Sequence, residues 1–232
     1  MGCCGSVFSR RTAALFVVSA VLFGGTFVAA KAGLEYFPPL LFVALRFDIG
    51  AIVLAAYAAA RLSKAELRPR TAGDVVGILA TGVLVIGLTN ALLFVGQQYT
   101  TSGVAAVVFS LNPILTPVFA AVLLSDERLS VRGSAGMVLG LLGVGLVANP
   151  DSSALLGGGL AVPILFAGAV TSALGAVVIR RAEATMSSTA RTVWGVPLAA
   201  VLSHALSFSA GESAGIAAVT PVAIAALVYV GV

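Results

Sequence analysis

The chain has 232 residues, 59% of them hydrophobic and only 9% charged, with a mean hydropathy of +1.11. Soluble domains carry about 25% charged residues, so this chain cannot cover its own surface for water. Its net charge of +4 does not mark a nucleic-acid partner, because the basic residues sit in short stretches between long apolar runs, the pattern of a chain threaded through a lipid bilayer.

In lipid every backbone amide must be satisfied within a helix or a closed barrel. Runs such as Ile114 to Leu124 and Val138 to Val147 lack the alternation of barrel strands. The expected fold is therefore all-α and polytopic. Residues 1–11 form an N-terminal segment. Its opening, Met1-Gly2-Cys3-Cys4-Gly5-Ser6, fits the formal myristoylation pattern, which would add little to a chain anchored by several spans. The adjacent Cys3 and Cys4 cannot staple a bundle, and no Cys/His cluster has metal spacing, so neither a metal nor a cofactor is expected. The first apolar run reaches full spanning length, unlike a cleavable signal.

About 20 residues cross the hydrocarbon. Spans are predicted near Thr12–Ala32, Pro39–Ala60, Asp74–Gly96, Ser102–Leu124, Gly133–Ala148, Gly157–Ile179, Thr192–Phe208 and Gly215–Val232. With a cytoplasmic N-terminus, eleven of the 13 Lys and Arg residues fall inside: Arg10, Arg11, Arg61, Lys64, Arg68, Arg70, Arg128, Arg132, Arg180, Arg181 and Arg191. Only Lys31 falls outside, and Arg46 lies within a span; the segment Gln97–Thr101 is an uncharged outer loop. This bias sets the orientation. Tyr36 and Tyr99 at the outer edge and Trp194 at the inner edge fit an aromatic belt.

A weak repeat appears at an offset of 150: Leu15, Phe16, Gly25, Val28 and Ala32 recur as Leu165, Phe166, Gly175, Val178 and Ala182, and Arg181 matches Lys31. The first and sixth spans must run in opposite directions. Inverted repeats of this kind are common among secondary transporters.

Several spans carry polar groups. Arg46 and Asp48 lie within the second span, where each costs about 2.5–3.5 kcal/mol on insertion scales. They stand 200° apart on the helix and do not pair. Asp48 shares a face with Ala44, Ala51 and Ala55, and Arg46 with Phe42, Val43, Gly50 and Val53. Arg46 either anchors structurally, by snorkelling or a carbonyl bond, or contacts substrate. Asn112-Pro113 and Pro117 are expected to kink the fourth span and free carbonyls that line a cavity or serve packing alone. Gly24-Gly25 permits bending or close approach in the first. Asn90 and His204 read as interhelical hydrogen-bond partners. At 1.5 Å per residue, Arg46, Asn90, His204 and Asn112 lie about 10, 9, 6 and 15 Å from the outer boundary, depths that one water-lined vestibule would unite. Gly133, Gly136, Gly140 and Gly143 put a glycine stripe on one face of the fifth span, expected to pack within the bundle or, less simply, in a homodimer.

Taken together, these segments resemble the drug/metabolite transporter superfamily, EamA type. The resemblance rests on Phe23-Gly24-Gly25-Thr26-Phe27, Tyr36-Phe37-Pro38-Pro39, Leu45-Arg46-Phe47, Gln98 to Gly103, Leu111 to Pro117, and Asp126 to Ser130 before the Gly-rich fifth span. It implies ten helices in two inverted five-helix repeats, with a substrate cavity lined by the first four helices. Residues 12–148 correspond to the first repeat and 157–232 to an incomplete second one, eight spans of an expected ten. A complete protein would then hold roughly 60–70 further residues. The implied function is secondary transport of small polar metabolites or drugs across the cytoplasmic membrane, by export or exchange. The alternatives are a non-transporting membrane scaffold and a lipid-processing enzyme. For the enzyme, His204 is the sole histidine, no Gly-x-Ser-x-Gly elbow exists and Asp48 is the one Asp well inside a span, so no catalytic residue is assigned.

Overall fold

A computed structural model describes residues 10–124, 130–148, 159–212 and 220–231. All regular structure among them is helical: α1 (Arg10–Gly33), α2 (Pro39–Arg61), a short α3 (Lys64–Leu67), α4 (Ala72–Gln98), α5 (Ser102–Phe109), α6 (Asn112–Leu123), α7 (Val131–Ala148), α8 (Ala161–Arg181), α9 (Ser188–Ser209) and α10 (Pro221–Gly231). Six stretches are long and apolar enough to cross a membrane, α5 and α6 together forming one of them. Large apolar side chains such as Phe16, Phe23, Ile52, Val122 and Phe208 point outward. The protein is an all-α, multi-pass membrane protein whose outer surface is suited to lipid. Cys3, Cys4, Asp126 and Asp151, and the expected boundaries at Gly157 and Gly215, lie outside the described residues.

Local chemistry sets the helix ends. Pro39 opens α2 without an amide to satisfy, and Ser187 caps α9 by accepting from the Ala190 amide at 3.2 Å. Capping boxes open α3 (Ser63 with Glu66) and α4 (Thr71 with Asp74). The fourth span breaks at Ser110–Leu111, just before Pro113, which cannot donate to the Phe109 carbonyl. The predicted kink is present, and Pro117 sits inside the second half. Helix α1, by contrast, runs unbroken through Gly24 and Gly25. Gly25 serves close approach instead: Tyr229 of α10 fills the space of its missing side chain, and the Tyr229 hydroxyl donates to the Leu22 carbonyl at 3.2 Å.

Helix α4 runs through the interior and departs from expectation by carrying a π-helical stretch, Ala80–Leu88. Within it, Gly82 lies against the Gly195 backbone of α9 and Gly87 against Leu202. Thr89 donates to the Leu84 carbonyl at 2.8 Å and shares a 3.2 Å contact with Thr171 of α8. Gln97, expected in the outer loop, is instead a fully buried residue of α4 that donates to the Phe27 carbonyl at 2.8 Å. Desolvation opposes this burial, and the bond to Phe27 offsets it only at the NH2 group, because Oε1 is buried with no partner among the described residues.

The principal packing pairs are α2 with α9, α4 with α8 and α9, α8 with α5 and α6, and α10 with α1 and α2. A phenylalanine cluster fills the interior between them. Phe42 is fully buried and stacks on Phe37 at 5.3 Å while meeting the Phe94 ring edge-on at 5.3 Å. Helix α7 packs mainly on α5 and α6.

Candidate functional site

Arg46 projects from α2, about two turns from its start, into the contact between α2, α9 and α10. A cavity of about 240 Å³ lies beside it, lined by Arg46, Phe47, Gly50, Val53, Val196 and Val230 among others. Two of the residues expected on its face, Gly50 and Val53, share that lining, whereas Phe42 and Val43 are buried in the core. The guanidinium carbon stands 5.0 Å from the Phe47 ring centre and 5.3 Å from that of Phe94. Nε and Nη1 are buried and have no hydrogen-bond partner among the described residues.

A further partner would lower the cost of burying these nitrogens. Each buried, unpaired donor costs about 1–3 kcal/mol, and more when charged. Two aromatic faces return roughly 0.5–2 kcal/mol each. A group that accepts hydrogen bonds and carries negative charge would satisfy both nitrogens.

The other polar positions do not converge on Arg46. Asp48 points to α9, where its Oδ2 lies 2.9 Å from His204 Nε2, each side chain a little under half exposed at 44% and 45%. Asp48 thus does not pair with Arg46, and His204 makes an interhelical bond. The close packing expected on the Asp48 face holds at Ala44, which is fully buried, but not at Ala55, which is exposed. Asn90 departs from the interhelical expectation: its amide donates to the Ile86 carbonyl one turn back at 2.7 Å, because that carbonyl lies at the end of the π-helical stretch and within the reach of its own side chain. Asn112 sits at the start of α6 with a buried Oδ1 that has no partner among the described residues. The cavity at Arg46 includes none of Asn90, Asn112 and His204, since similar depth says nothing about rotation around each helix axis. Nor is that cavity lined by the first four spans; its walls come from the second, seventh and eighth. The glycine stripe of α7 lacks the packing expected within the bundle: among the described residues nothing lies within 4 Å of a side chain built at Gly136, Gly140 or Gly143.

A model of the EamA-like transporter family matches residues 10–149, more than half of the chain. The chain belongs to the EamA-like transporter family. Among curated relatives, an uncharacterized transporter of Bacillus subtilis, YvbV, is 31% identical over 81% of this chain and 58% of its own length. One from Archaeoglobus fulgidus is 25% identical over 79% of this chain and 64% of its own. The Escherichia coli K12 inner membrane transporter YedA, also uncharacterized, is 29% identical over 59% of this chain and 45% of its own. The chain thus spans about half to two thirds of the length of these relatives.

Two ends of this EamA-like bundle are held by polar groups that sequence reasoning used only as boundary markers or loop charges. At the end where residues 62–71 meet residues 182–187, rich in Arg and Lys, the carboxylate of Asp74 is fully buried. The Arg70 and Thr71 amides donate to its Oδ2 at 2.9 and 3.0 Å, and the Thr185 and Met186 amides to its Oδ1 at 2.7 and 2.9 Å. The Thr185 hydroxyl adds contacts of 3.1 Å, and Trp194 Nε1 donates to the Leu67 carbonyl at 2.8 Å. At the opposite end, Glu212 accepts from the Leu41 amide at 2.8 Å and the Ser207 hydroxyl at 3.2 Å. There Lys31 donates to the Gln97 and Gln98 carbonyls at 2.9 and 3.3 Å, the unsatisfied, partially negative end of α4. The signal for Asp74 was the capping box with Thr71; its second set of donors lies more than 100 residues away and has no local trace.

Proposed function

We propose that the protein is a secondary transporter of small polar metabolites or drugs, an exporter or exchanger that works by alternating access around the cavity at Arg46. In this reading it sits in the cytoplasmic membrane with its N-terminus in the cytoplasm, an orientation supported by the distribution of Lys and Arg. The observation that carries the substrate reading is Arg46, a guanidinium between two phenylalanine rings that lines a cavity with two buried, unpartnered nitrogens. Those nitrogens and the planar fork suit a carboxylate or another anionic group on the transported molecule.

Metabolite profiles of cells with and without the protein test this, followed by transport assays at matched surface expression. A compound with an anionic group is expected to change in distribution. Arg46→Lys keeps charge without the fork and should retain part of the transport, whereas Arg46→Leu should retain little. Wild-type rate and affinity in Arg46→Leu would make Arg46 a structural anchor only.

A further inference from the structure

We infer that Asp74 and Glu212 are paired latches, one at each end of the bundle, whose alternate release opens the cavity at Arg46 to one side of the membrane and then the other. This rests on the alternating-access reading above. Its own support is a set of equivalences between the two halves of the chain.

The glycines matched at the offset of 150 do the same work against different neighbours. Gly25 of α1 receives Tyr229 of α10, and Gly175 of α8 receives Leu84 and Val85 of α4. An offset of 145 relates Gly50 of α2 to Gly195 of α9; Gly50 lies against the Gly231 carbonyl of α10, and Gly195 against Gly82 of α4. Both comparisons exchange the same helices, α1 with α8, α2 with α9, and α10 with α4. Under that exchange the contact between α2 and α9 maps onto itself, and the packing of α10 on α1 and α2 maps onto that of α4 on α8 and α9. An inverted repeat with an axis in the membrane plane has this property.

The two carboxylates fit the same exchange. Leu41, whose amide Glu212 accepts, lies in the first turn of α2; at the offset of 145 it corresponds to Met186, whose amide Asp74 accepts just before α9. Each of the two exchanged helices is thus held at its entrance by a carboxylate from outside that helix, and the two sites lie at opposite ends. A plain cap satisfies the amides of its own helix. Asp74 does that for α4, and also takes three donors from the segment that leads into α9. Helix ends without such a partner leave amides exposed, which water can satisfy only once the end has opened. Asp74 borders a cleft of about 260 Å³ with Arg68, Arg70, Thr185 and Met186, so water enters there once the contact parts. Among the described residues Glu212 takes one donor from α2, against three at Asp74 from the segment that leads into α9.

The test uses the whole chain in oriented membrane vesicles, with Cys3→Ser and Cys4→Ser and a reporter Val53→Cys in the cavity wall. A membrane-impermeant maleimide is applied from each side. Asp74→Asn is expected to raise labelling from the basic end at least about tenfold and to lower it from the other, the shift that follows loss of a charge-assisted hydrogen bond. Glu212→Gln should shift the ratio the opposite way and by less. If Asp74→Asn does not fold, Thr185→Val removes only the hydroxyl contact and should move the ratio in the same direction. Labelling that changes equally from both sides, or a lower melting temperature with an unchanged ratio, would reduce both carboxylates to caps. In that event a cavity reachable in the wild type, with transport still dependent on Arg46, would leave the transport reading intact. A cysteine at position 53 that neither side reaches in any variant would overturn the latches and the alternating-access reading together.

Discussion

Helices α4 and α7 both carry several glycines, yet use them in opposite ways. In α4 a side chain built at Gly77, Gly82, Gly87 or Gly96 would collide with Ala184, Gly195, Leu202 or Leu165, from α8, α9 and the segment between them. In α7 the corresponding space at Gly136, Gly140 and Gly143 holds nothing within 4 Å among the described residues. The α7 glycines have the more regular spacing, three and four residues apart, and were the better advertised in sequence. Spacing tells that one face of a helix is smooth. It does not tell whether anything lies against that face, because lipid tails and a neighbouring helix are both apolar and select the same residues.

Three substitutions break or sharpen this comparison. Gly82→Leu should have the largest effect, because the obstacle is the Gly195 backbone, which cannot step aside; a loss of about 3 kcal/mol or more, or failure to fold, is expected in thermal unfolding of the detergent-purified protein. A melting temperature close to wild type would mean that α4 and α9 are not in this contact. Gly25→Val should cost less, roughly 1–2 kcal/mol, since its obstacle is the far end of the Tyr229 side chain, which can rotate away at the loss of one hydrogen bond. Combining it with Tyr229→Phe distinguishes lost space from lost bonding: a smaller drop than in Gly25→Val alone places the cost in the crowded hydroxyl. Gly140→Ala should change stability by no more than about 0.5 kcal/mol, or raise it slightly, because alanine is the better helix former. A drop as large as that of Gly25→Val, together with a change in oligomeric mass, would reveal a second protein surface on α7.

The features read well from sequence are those governed by the solvent. The first four spans and the seventh begin and end within a few residues of their predicted limits, because twenty apolar residues with flanking charges are dictated by bilayer thickness. The break before Pro113 was also legible, since a missing amide acts on the chain's own backbone. Arg46 stood out because a charge within a span demands an explanation. What escaped were Gln97, taken for a loop residue, and Asp74 and Glu212, taken for boundary and loop charges, since each acquires its role from a partner distant in sequence.

Composition and periodicity alone determined that this chain is helical and membrane-spanning, where its spans lie, and which few side chains are out of place in lipid. Each of these follows from a residue's free energy of transfer between water and hydrocarbon, a property of the residue and its immediate neighbours. Only the tertiary structure decided which of those side chains meet. Asp48 turns to His204, Asn90 to its own helix, and Arg46 to two rings and a cavity, because the rotation of each helix is set by the shapes packed against it and leaves no mark in the apolar text of the chain.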